Sequence, residues 1–71
     1  MELKMFLNGS LLAIAPINSS ITSLRGCVEN IMLDLEEKYE DVIDASGEEP
    51  QYFLDNIPSS MNYFIKKKFQ D

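Results

Sequence analysis

Apolar side chains recur at Leu24, Val28, Ile31, Leu35, Tyr39 and Val42, in steps of three and four residues. That spacing lines them along one side of an α-helix, with polar and acidic residues filling most of the positions between. Residues 20–45 are therefore predicted to form one long amphipathic helix of about five to six turns. Ser20, Thr22 and Ser23 each suit its N-cap, and Gly47 suits a left-handed terminator. Gly26 sits inside the first turns at a cost of about 1 kcal/mol in helix propensity. Its presence there points either to close approach of the backbone to the hairpin or to an uncompensated weakness.

The N-terminal pattern is different. Residues 2–7 and 10–17 are short apolar-rich runs on either side of Asn8-Gly9, a dipeptide in which both residues tolerate positive φ. A two-residue loop sets the register Leu7 with Ser10, Phe6 with Leu11, Met5 with Leu12 and Leu3 with Ile14. One face of this hairpin then carries Leu3, Met5, Leu12 and Ile14 toward the helix. The other face mixes the apolar pair Phe6 and Leu11 with Glu2, Lys4, Ala13 and Ala15. Pro16 marks an edge or the end of the second strand.

Beyond Gly47 the pattern shortens. Residues 50–56 are most simply a short helix presenting Tyr52, Phe53 and Leu54, because proline and acids suit a first helical turn. A strand over 51–57 is the competing assignment, and it would lie beside the N-terminal hairpin. Pro58-Ser59-Ser60 breaks the chain, and Met61, Phe64, Ile65 and Phe69 outline a last helix over 61–69. The expected fold class is α+β. An N-terminal β-hairpin packs on a long amphipathic acidic helix, followed by one or two short C-terminal helices, in a single small domain spanning 1–71.

Charge sharpens this picture. Twelve acidic and six basic residues give a net charge of −6. The imbalance is local: Glu29, Asp34, Glu36, Glu37, Glu40, Asp41, Asp44, Glu48 and Glu49, against Lys38 alone, give −8 over residues 29–49. The remaining residues carry +2. Glu36–Glu40, Glu37–Asp41 and Glu40–Asp44 are like-charge pairs four residues apart, each unfavourable by a few tenths of a kcal/mol. Such a field repels a phosphate backbone and favours a basic protein surface. These nine acids are the candidate interaction residues.

Candidate chemistry is sparse. The chain has no histidine and one cysteine, Cys27, so neither a Cys-His nor a Ser-His-Asp arrangement can be assembled from it. Cys27 is expected to pack as a small hydrophobe, and a single cysteine fits a reducing compartment. No phosphate-cradling glycine motif, paired metal-ligand spacing or EF-hand pattern occurs. The expectation is a non-enzymatic protein with no cofactor and no metal. Its predicted role is a small protein-binding module, regulator or inhibitor that meets a partner with a basic surface, with nucleic-acid charge mimicry as one mode.

The alternative is an accessory structural subunit or a weak nucleic-acid-binding module, using Lys66, Lys67 and Lys68 with Tyr63 nearby. Three lysines are a small footprint on a chain of net charge −6, so nucleic acid is the disfavoured partner. Phe6, Leu11 and Tyr52 are the apolar and aromatic alternatives for an interface, and Phe6 with Leu11 motivates a homodimer. No run approaches the roughly 20 apolar residues of a membrane span, and Asn8-Gly9 interrupts any signal-peptide core. The expected location is the cytoplasm of a native or host cell.

Overall fold

The structure is a computed structural model and describes residues 1–20 and 22–56. The helix expected over 61–69, Tyr63 and the three lysines lie outside the described residues. Three strands and two helices follow in the order β1 (Glu2–Leu7), β2 (Ser10–Pro16), α1 (Leu24–Lys38), α2 (Glu40–Ser46) and β3 (Gln51–Leu54). The strands form one antiparallel sheet in the order β2-β1-β3, with β1 in the centre. The hairpin packs against the long helix and the short second helix continues from it, an α+β arrangement.

Asn8 and Gly9 make the β1–β2 turn with φ of 56° and 76°. Both values lie in the left-handed region that a two-residue hairpin of this hand requires. The turn aligns Leu7 with Ser10 and Phe6 with Leu11, as the loop length dictates. Beyond that point the register departs from the expected one. A bulge follows, so that Met5 pairs with Ala13, Lys4 with Ile14 and Leu3 with Ala15. One extra residue on β2, Leu12, reverses the faces of everything after it. Ala13 and Ala15 therefore turn toward the core together with a half-buried Leu12, while Ile14 turns outward at 48% exposure.

The strand assignment for 51–57 prevails over the short helix. Gln51–Leu54 pairs antiparallel with Leu3–Phe6, because the second edge of β1 is open to a partner and a strand fills its hydrogen-bonding row. Alternation along β3 sends Tyr52 and Leu54 into the core and Phe53 outward. The Asp55 amide extends the pairing by donating to the Glu2 carbonyl at 3.2 Å. At the other side of the sheet the Ile17 amide donates to the Met1 carbonyl at 2.9 Å, and Ile17 is buried.

The expected single helix over 20–45 is two. Thr22 and Ser23 form a turn rather than helix, and the Ser23 amide donates to the Ser20 carbonyl at 3.1 Å. Ser23 occupies the N-cap position, but its hydroxyl donates to the Ser20 carbonyl at 3.3 Å instead of capping α1. At Tyr39 the backbone leaves helical geometry (φ −112°, ψ 17°). The four-residue hydrogen bonds nevertheless run through the break, Tyr39 to Leu35 and Ile43 to Tyr39, both at 3.0 Å. The result is a kink between α1 and α2. Gly47, with φ of 70°, terminates α2 in the left-handed conformation.

The core comprises Leu3, Met5, Ile17, Leu24, Val28, Met32, Leu35, Tyr52 and Leu54. Met32 joins the helical stripe and is buried, while Val42 lies outside it at 46% exposure. Ile43 takes the inward position on α2 and packs partly against the core, as do Ile31, Tyr39 and Cys27. Gly26 is exposed, and a Cβ added there would meet no heavy atom within 4 Å. Of the two explanations for Gly26, the uncompensated weakness is the correct one.

Candidate functional site

The kink at Tyr39 brings α2 round so that the acidic side of the two helices borders the loop into β3. An open groove of about 470 Å³ lies there, lined by Leu33, Glu36, Glu37, Glu40, Ile43, Asp44 and Pro50. Its apolar part comes from three different elements. Leu33 projects from α1 and is 60% exposed, Ile43 is the half-buried residue of α2, and Pro50 is buried immediately before β3. The remaining lining is four carboxylates. No lysine or arginine among the described residues pairs with Glu37, Glu40 or Asp44.

Two contacts hold the elements next to this groove. Tyr52 on β3 is buried, and its hydroxyl donates to the Met32 carbonyl of α1 at 3.4 Å. The Glu36 carboxylate lies near the same hydroxyl. Burial raises the Tyr52 pKa well above its ordinary value, and the nearby Glu36 charge pushes it further in the same direction. Tyr52 thus stays a neutral donor that ties α1 to the sheet through the Met32 carbonyl. In the loop, the Glu48 amide donates to the Ser46 hydroxyl at 3.2 Å. The Glu48 carboxylate meets the Asn8 side-chain amide, whose orientation follows from that hydrogen bond. This contact joins the loop to the hairpin turn, and Pro50, two residues on, is buried and lines the groove.

The nine acids singled out in the sequence do not all lie at the groove. Glu36, Glu37, Glu40 and Asp44 converge on the groove. Asp34 and Asp41 are exposed elsewhere on the helices, Glu49 is exposed in the loop, and Glu48 is engaged by Asn8. Glu29 lies half-buried on the first half of α1 and is not unpartnered. Phe6 and Leu11 share a row on the sheet face turned away from the helices, whereas Tyr52 belongs to the core.

Leu33 and Ile43 line the groove at positions that the sequence pattern passes over. Leu33 does carry a signal: it is a large apolar residue off the helical stripe, directly before Asp34 and three residues before Glu36. Among the described residues, no group of three or more His, Cys, Asp or Glu side chains is arranged to hold a metal ion, and no helix is long and apolar enough to cross a membrane. No protein-family model matches this chain, and neither does any curated protein or solved structure.

Proposed function

We propose that this chain is a small protein-binding module, acting as a regulator or inhibitor, that receives a basic segment of another protein in the groove beside Tyr39. The observation carrying this reading is the pairing of an exposed Leu33 with Glu36, Glu37, Glu40 and Asp44 around one concavity. Isolated acids on a helix keep a small protein soluble and need no partner. Acids grouped around exposed apolar surface suit a lysine or arginine, whose aliphatic stem lies on Leu33, Ile43 and Pro50 while its charged end meets the carboxylates. A basic partner also relieves the repulsion among Glu36, Glu40 and Asp44, so binding gains on both counts. The role is recognition and not catalysis, and it uses no cofactor.

Mimicry of nucleic-acid charge is the narrower form of the same idea, and Leu33 separates the two. A charge mimic needs the carboxylates alone. A groove that seats an aliphatic stem loses affinity when Leu33 is made polar, by about 1 kcal/mol or five- to tenfold. The test is an affinity capture of partners from the native or host cell, followed by salt-dependent binding measurements on four proteins: the natural chain, Leu33→Ser, the set Glu36→Gln, Glu37→Gln, Glu40→Gln and Asp44→Asn, and the control Asp34→Asn. The quadruple change should slow association and flatten the salt dependence, with Asp34→Asn nearly neutral. Unchanged binding by the quadruple variant at low salt refutes the acidic groove.

A further inference from the structure

The helices cover one face of the sheet, and among the described residues no helix covers the other. The registers place two cross-strand rows on that open face: Leu11, Phe6 and Gln51 in one, Ile14, Lys4 and Phe53 in the next. Leu11, Ile14 and Phe53 are 51%, 48% and 47% exposed, and Phe6 between them is half-buried. Four large apolar side chains are therefore contiguous on a surface that no other described element covers, a concentration that marks interaction sites on small proteins. Its charges differ from those of the helix side. Lys4 lies 3.5 Å from Asp55, and Glu2 is the next outward residue of β1, so both signs are present within a few ångströms.

We propose that this face binds a second copy of the chain, sheet against sheet, across a two-fold axis. Charge selects this occupant. A two-fold interface must be complementary to itself, which a surface bearing only carboxylates cannot be, whereas Lys4 of each copy, beside its own Asp55, can also meet Glu2 of the other. The arrangement also turns both acidic helices outward. Two sheets packed about 10 Å apart, each backed by a helix layer at a similar spacing, put those helices about 30 Å from one another. That distance is several Debye lengths at physiological salt, so the −6 charge of each copy opposes the contact only weakly. A second copy docking on the acidic groove would meet the full repulsion. The face is small, about 15 Å across three strands, which places the dimer in the weak class with Kd on the order of 10–300 µM. The proposal is independent of the groove and of any basic partner.

Sedimentation equilibrium of the full chain, from about 5 µM to 1 mM, tests it in the absence of other proteins. The natural chain should shift from monomer to dimer across that range with little dependence on salt. Ile14→Thr with Phe53→Thr keeps strand propensity and should weaken association at least tenfold, with circular dichroism confirming the fold. Isotope-filtered nuclear Overhauser contacts between Ile14 and Phe53 of different copies provide a second readout on the unaltered protein. A chain that remains monomeric at about 1 mM overturns the proposal. So does a dimer indifferent to the double substitution, which would be using a strand edge or another face. Contacts from Phe53 to residues 61–69 of the same chain would overturn it too, by identifying the chain's own C-terminal segment as the cover.

Discussion

Replacing Gly26 by alanine should stabilise the protein, an outcome opposite in sign to that of most substitutions. Gly26 is the third residue of α1, exposed, with no heavy atom within 4 Å of the position a Cβ would take. Alanine therefore introduces no clash and removes no contact. What it changes is the unfolded chain, which loses conformational freedom when glycine is replaced, and the intrinsic helix preference at that site. The full difference in a helix interior is about 1 kcal/mol; a first-turn position is expected to return about 0.5–1 kcal/mol. For a domain of this size that is a rise of about 2–8 °C in Tm. With an m-value near 1 kcal/mol/M, the urea midpoint should move up by about 0.5–1 M. Far-ultraviolet circular dichroism during thermal and urea unfolding measures both. A lower midpoint would show that the backbone at Gly26 is approached by another part of the folded protein. An unchanged midpoint would show that α1 starts after it.

Leu35→Ala should cost about 2–5 kcal/mol, because Leu35 is buried among the helix and sheet residues of the core. Val42→Ala, at an exposed position of the same expected stripe, should cost less than about 0.5 kcal/mol, and equal losses would refute the two-helix arrangement. Tyr52 gives a prediction in pH. Its folded pKa is raised, so its stabilising contribution is complete below pH 10, where the unfolded chain also holds the proton. As pH rises above 10 the unfolded state ionises first, and the natural protein should lose stability relative to Tyr52→Phe by up to about 1.4 kcal/mol per pH unit. Urea midpoints between about pH 8 and 11.5 measure the difference. Parallel curves for the two proteins would show that Tyr52 is accessible to solvent.

The elements that were legible in the sequence are those whose signal is local. Asn8-Gly9 dictates a tight turn because two successive positive φ values are costly for other residues, and the turn carried its two flanking pairs correctly. Gly47 ended the helix for the same reason. The bulge was not legible, because Leu11, Leu12, Ala13, Ile14 and Ala15 are all apolar and either register buries something. Residues 50–56 were ambiguous at short range, and the choice of strand came from the open edge of β1, some 45 residues earlier in the chain. Within the site, the acids were visible and their grouping was not. The kink at Tyr39 and the return of Pro50 decide which four of the nine share a groove.

The bulge also decides what the protein shows to its surroundings. In the unbulged register Leu12 and Ile14 would both face α1, and Ala13 and Ala15 would line the outer face with Phe6 and Leu11. That outer surface would be flat and weakly apolar, as small side chains hold little area to remove from water. The extra residue places the two alanines under the helix, where Met5 and Leu3 stand opposite them, and sends Ile14 out beside Lys4 and Phe53. An isoleucine left half in water in a chain this short forgoes about 1 kcal/mol of burial that a marginal core has reason to use. On this argument the exposed row suits the proposed contact between two copies. A second sheet laid over Ile14 and Phe53 recovers the lost burial, and it does so on the face where acidic charge is thinnest.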